Sequence, residues 1–152
     1  LIDQRECEYL PRVVGLRAGQ TLIVRNSDRV IHNVHFTPAV DGNPEANVIQ
    51  LIGAQDLSFV WNRPEIFLRL KCDIHPWMFC YIGVVEHPFF AVTDTDGRFR
   101  IPPPPPGRYV VEAVHRKTHG RGGKGVAHEI EVRVGGEDAA VQLEITLPEG
   151  AQ

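Results

Sequence analysis

Ile66-Phe67-Leu68-Arg69-Leu70-Lys71-Cys72-Asp73-Ile74-His75-Pro76-Trp77-Met78 reads as a strand that runs into a loop of metal donors. Side chains alternate along a strand, so Phe67, Arg69 and Lys71 face one way and Ile66, Leu68, Leu70 and Cys72 the other. Cys72 therefore points to the apolar side, where a dry metal site has to lie. Beyond it, His75 and Met78 follow at every third position, bringing a thiol, an imidazole and a thioether into one short loop. Upstream, Ile31-His32-Asn33-Val34-His35-Phe36 offers a second imidazole in strand-like surroundings. Two histidines, one cysteine and a weak axial methionine are the donor set of a blue-copper electron-transfer site. Soft sulfur favours reduced copper while imidazole also suits the oxidised ion, so an electron can move with little rearrangement. Zinc competes for the same Cys and His donors but gains little from Met.

The rest of the chain narrows the class. At 152 residues there is room for one ordinary domain or two small ones. An apolar fraction of 43% and a charged fraction of 23% are those of a soluble globular protein. A net charge of −3 provides no basic field for nucleic acid. No run approaches the roughly 18 apolar residues of a membrane span. The chain starts at Leu1, without a signal peptide, and the expectation is an upstream export signal or membrane anchor. With Cys72 set aside as a ligand, Cys7 and Cys80 form an even pair. They are expected as a disulfide in an oxidising compartment, or else as two buried free thiols.

Strand and turn patterns fill both halves. Thr21–Arg25 is β-rich and ends at the turn cluster Asn26-Ser27-Asp28. Leu57–Trp61 and Ile66–Cys72 read as a hairpin around Asn62-Arg63-Pro64-Glu65, and Tyr81–Val85 as a closing strand. From Phe89 two strands are expected about the turn Asp96-Gly97, followed by strands over Arg108–His115, Val126–Val134 and Ala139–Leu147. The prediction is an all-β chain of two small sandwiches, 1–86 and 87–152. Pro102–Pro106 reads as a stiff connection between strands, with a polyproline recognition segment as the alternative. Gly120–Gly125 lacks the ending and the helix of a phosphate loop and reads as a hairpin tip. His87, His115, His119 and His128 show no ligand spacing.

At these residues the first half resembles the cupredoxins, Greek-key β-sandwiches of the amicyanin and plastocyanin kind. Amicyanins carry a Cys-x-x-His-Pro-Phe-Met loop, matched by Cys72-Asp73-Ile74-His75-Pro76-Trp77-Met78. Their Pro-His-Asn-Val-His-Phe segment is matched by Ile31–Phe36, and the turn and strand before it by Ala18-Gly19-Gln20-Thr21-Leu22. The resemblance runs from about Glu6 to Val85. It implies one type 1 copper held by His32, Cys72, His75 and Met78, with Asn33 bracing the ligand loop. His35, three positions along the strand from His32, faces the other way and stays unligated. Asp73 stands where the family has Thr or Ser, a carboxylate near the thiolate that predicts a low potential. Ile74 replaces a Pro and loosens the loop. The first cupredoxin strand has only Leu1–Asp3 available and is expected to be short or missing.

The second half resembles a carboxypeptidase regulatory-like, transthyretin-like β-sandwich. The matching motifs are Thr93-Asp94-Thr95-Asp96-Gly97-Arg98-Phe99 and Pro106-Gly107-Arg108-Tyr109, which are mostly turn chemistry. No nucleophile–base pair is present, and four ligands leave no vacant position for a substrate, so no enzyme is expected. The expected function is extracytoplasmic or periplasmic electron transfer. The redox partner would be a cytochrome, a dehydrogenase or a membrane electron-transfer complex, met through a docking patch at Pro76 and Trp77. The alternative is a non-catalytic accessory subunit of a membrane-associated redox complex, with Trp77 packed away and the copper site empty.

Overall fold

The computed structural model describes residues 1–118, 125–133 and 140–147. It divides into two compact units, Leu1–Pro102 and Pro103–Gln152. No described residue is helical, so the all-β class expected from the sequence is the one that forms. No helix among them is long and apolar enough to cross a membrane.

In the first unit nine strands make two sheets. They are β1 (Ile2–Arg5), β2 (Glu8–Leu10), β3 (Val13–Arg17), β4 (Leu22–Asn26), β5 (His32–Thr37), β6 (Ala46–Gln50), β7 (Leu57–Phe59), β8 (Glu65–Lys71) and β9 (Phe79–Val85). One sheet has the order β2-β1-β4-β7 and the other β3-β9-β8-β5-β6. Ile2, Tyr9, Leu22 and Val24 from the first sheet and Val34, Phe36, Leu68, Leu70, Ile82 and Val84 from the second form one buried cluster. Trp61, 1% exposed, belongs to it, and its ring centroid lies 4.6 Å from that of Phe36. Burial of each such side chain contributes about 1.5–3 kcal/mol.

Several expectations are corrected. β7 and β8 are not a hairpin: β7 pairs with β4 and β8 with β5 and β9, so the turn between them crosses from one sheet to the other. The alternation breaks at the start of β8, where the pairing with β9 shifts between Glu65 and Leu68 and Phe67 takes a φ of 65°. The irregularity leaves Leu68, Leu70 and Cys72 buried but puts Glu65 inside in place of Ile66. The buried carboxylate accepts from the Ala39 amide at 2.6 Å and from Asn43 Nδ2 at 2.9 Å. The first strand, β1, is short but present, parallel to β4.

The expected strands from Phe89 do not form. The turn does: Asp94 N–H donates to the Arg98 carbonyl at 2.9 Å, and Gly97 takes a φ of 79°. The first compact unit runs to Pro102. Phe90 packs against Gly15 on β3, where an added Cβ would stand 2.2 Å from Phe90 Cε2. Phe90 occupies the space a side chain there would need.

The second unit contains β10 (Gly107–Ala113) and β11 (Val126–Val132), paired antiparallel with Val110 opposite Glu129. These two strands are the only sheet among its described residues, and 140–147 carries no strand. Tyr109 Oη donates to the Pro105 carbonyl at 2.7 Å, anchoring the end of the proline run. Most of the Gly120–Gly125 tip, His119, Val134 and Ala139 lie outside the described residues.

Candidate metal centre

β5 and β8 run antiparallel, with His35 opposite Lys71 and Phe36 opposite Leu70. Continuing that register sets the start of β5 beside the loop that follows Cys72. His32 thus meets the Cys72–Met78 loop at one end of the sandwich. Within the loop, Met78 N–H donates to the His75 carbonyl at 2.9 Å and Cys72 N–H to the Met78 carbonyl at 3.0 Å, closing it on itself. The Tyr9 hydroxyl, from the opposite sheet, bonds the Asn33 carbonyl at 2.6 Å and the Lys71 carbonyl at 3.4 Å, strapping together the two strands that carry the donors. Burial pushes the Tyr9 phenol well above its ordinary pKa, with the nearby acidic groups adding to it, so it stays a donor.

His32 is fully buried, and its orientation is set by Asp28. Its Nε2 lies 2.8 Å from Asp28 Oδ2. A carboxylate held ionised only accepts, so Nε2 donates to it and Nδ1 is the nitrogen turned toward His75. Asp28 is ionised: partial burial pushes its carboxyl up, but bonds from the Cys7 amide, His32 and the Glu6 amide outweigh this and hold it below the usual range. His32 Nδ1 faces His75 Nδ1 at 3.0 Å. Metal–nitrogen bonds of roughly 2.0 Å span such a gap at an angle of about 100°, so the imidazole pair fits a shared ion.

Cys72 is 2% exposed, and its sulfur lies 3.8 Å from His75 Nδ1. Two backbone amides donate to it, from Asn33 at 3.5 Å and from His75 at 3.4 Å. Met78, 1% exposed, is packed in the core cluster at the end of the loop. Pro76 and Trp77 are exposed beside His75, the Trp77 ring centroid 5.3 Å from the imidazole.

Asn33 and Asp73 grip each other. Asp73 N–H donates to Asn33 Oδ1 at 2.5 Å, and Asn33 Nδ2 donates back to Asp73 Oδ2 at 3.1 Å. Lys71 Nζ lies 2.8 Å from Asp73 Oδ1, and His35 Nδ1 lies 2.6 Å from Oδ2. Bonds from Lys71 first and then His35 hold the Asp73 carboxyl far below its usual range, against desolvation. His35 spans Asp73 and Glu45, on the other side of β5 from His32.

Cys7 and Cys80 are not joined: all three cysteines are free. Cys80 is fully buried on β9, and burial pushes its thiol pKa up. Cys7 stands instead beside the histidine pair, where its sulfur and one ring nitrogen from each of His32 and His75 lie within 4.8 Å of one another. Neither Cys7 nor Asp28 was legible as part of a site. Glu6-Cys7 forms the two-residue turn between β1 and β2, with φ of 56° and 55°. Such turns prefer Asn-Gly, so two ill-suited residues between strand-like runs were the available signal.

No protein-family model matches the chain, and no curated protein matches it. Solved structures of amicyanin variants are similar to part of it. A Cu(I) form of a methionine-to-alanine variant is 21% identical over 55% of this chain and 78% of that one, with a TM-score of 0.48. A reduced tryptophan-to-tyrosine variant and an oxidised proline-to-alanine variant are each 23% identical over the same shares, also at 0.48.

Proposed function

We propose that the first unit is an electron carrier with one copper ion of the blue, type 1 kind, held by His32, Cys72, His75 and Met78. The observation that carries this reading is the pair of imidazole Nδ1 atoms 3.0 Å apart beside a thiol that receives two backbone amides. Bound copper supplies a one-electron couple. The chain's own residues do the rest. Asp28 keeps the proton on His32 Nε2, the amides of Asn33 and His75 donate to the Cys72 sulfur, and the core around Met78 excludes water. Lys71 and His35 offset the Asp73 charge, which weakens its expected pull toward a low potential.

His75 serves as the route for electrons, and Pro76 and Trp77 as the surface met by a redox protein outside the cytosol, a cytochrome, dehydrogenase or membrane complex. Trp77 is 62% exposed, which favours this reading over an accessory subunit with the tryptophan packed away. The second unit is read as a small sandwich of the carboxypeptidase regulatory-like kind, supported by the β10–β11 hairpin and the Tyr109 anchor.

The test is an absorption spectrum after Cu(II) loading, repeated with Cys72→Ser. An intense visible thiolate-to-copper band that vanishes in the variant supports the proposal. An intact protein that binds no copper overturns it.

A further inference from the structure

We propose that Cys7 is a second sulfur donor to the ion held at the His32–His75 pair. The centre is then a two-thiol, two-imidazole site in which Cys7 takes the position proposed above for Met78, and the Cys72 sulfur, which is not in the mutually close Cys7–His32–His75 group, has to approach that group on binding. The inference rests on the reading of this pair as a metal site, and it changes which ions the site prefers.

Three features place Cys7 there. Its sulfur and one ring nitrogen from each of the two histidines lie within 4.8 Å of one another. The turn that presents it is held in a conformation that neither of its residues favours, with positive φ at Glu6 and at Cys7. Strained backbone of this kind persists where surrounding structure over-determines it, and it gathers at functional sites. The surrounding structure is Asp28. One carboxylate oxygen accepts the Glu6 amide at 2.7 Å, and the other accepts the Cys7 amide at 2.9 Å and faces His32 Nε2 at 2.8 Å. The acid that sets the ring of His32 therefore also holds the backbone of Cys7, and no disulfide takes its thiol away.

Chemically, the addition matters because Cys72 already reaches His75 from the ligand loop. A second thiol shifts the donor balance toward sulfur. Two thiolates with two imidazoles suit Cu(I) and tetrahedral zinc or cobalt better than a single-thiolate set does. Each thiol gives up its proton on binding. Cys7 comes from the sheet opposite to the one carrying His32 and Cys72, so an ion bound by all of them joins the two sheets.

The test uses the full chain, oxygen-free, titrated with Co(II), because near-ultraviolet thiolate-to-cobalt absorption counts bound thiolates. In Cys7→Ser and in Cys72→Ser the absorption per bound Co(II) is expected to fall by about half, since each removes one of two thiolates. Unchanged absorption in Cys7→Ser with complete loss in Cys72→Ser overturns the role of Cys7 and leaves the proposed copper ligands standing. Complete loss in Cys7→Ser with none in Cys72→Ser supports Cys7 and removes Cys72 from the proposed function. Absence of thiolate absorption in the unaltered chain overturns both. Alkylation of the unaltered chain needs no variant to fold: Cys7 is expected to be modified without metal and protected by Co(II), and equal modification in both states overturns the inference.

Discussion

Asn33 and Asp73 hold each other by two hydrogen bonds, backbone amide to side-chain carbonyl at 2.5 Å and side-chain amide to carboxylate at 3.1 Å. The first residue of the ligand loop after Cys72 is thereby pinned to the strand that carries His32. Asn33→Ala removes both bonds and leaves the Asp73 amide without its acceptor. The expected loss is about 1–3 kcal/mol of unfolding free energy, measured by urea titration. An unchanged midpoint would mean that the clamp is incidental.

Tyr9→Phe keeps the ring in the core and removes only the hydroxyl that reaches Asn33 and Lys71. A loss of about 1 kcal/mol is expected. Amide exchange should quicken at the β5–β8 pairing, which is the strap's target. Quickening confined to β2 would contradict this role.

Asp28→Asn leaves a side chain of the same shape but no charge opposite the ring of His32. Partners of this kind typically cost 10–100-fold in metal affinity when altered, on the order of the loss expected here for Co(II) or Cu(I). Competition against a chelator of known strength measures it. Affinity equal to that of the unaltered chain would show that His32 needs no orienting acid.

Gly15→Ala forces Phe90 out of the space it fills over β3. Overpacking of this kind costs about 1–3 kcal/mol. Combining it with Phe90→Ala should recover part of the loss, because the clash disappears. A double variant no more stable than Gly15→Ala alone would place the strain elsewhere.

Glu65→Ala strands the Ala39 amide and the Asn43 side chain, both satisfied by the buried carboxylate. Each unsatisfied buried group costs about 1–3 kcal/mol, so this should be among the most damaging single changes in the first unit. Thermal unfolding of the full chain checks it.

How much of this was legible follows from the range of each signal. The spacing of Cys72, His75 and Met78 is local, and the loop closes as that spacing suggests through bonds within six residues of chain. The strand character of β4, β5, β8 and β9 was equally plain, because alternation is a nearest-neighbour property. The same rule misplaced Ile66 and Glu65, since a register shift against β9 resets the faces and leaves no local mark. A turn signal at Asn62–Glu65 was present, but turn chemistry does not say which sheet the next strand joins.

The donor types at Cys72, His75 and His32, and the all-β class, were determined by the amino-acid sequence alone. Periodicity and donor chemistry need only neighbouring residues. Tertiary structure alone decided that Asp28 orients His32, that Cys7 stands beside the imidazoles and is not bonded to Cys80, and that Phe90 packs over Gly15. Each of these depends on the packing of segments far apart in the chain, and on which ends of two sheets meet, a relationship that no window of sequence contains.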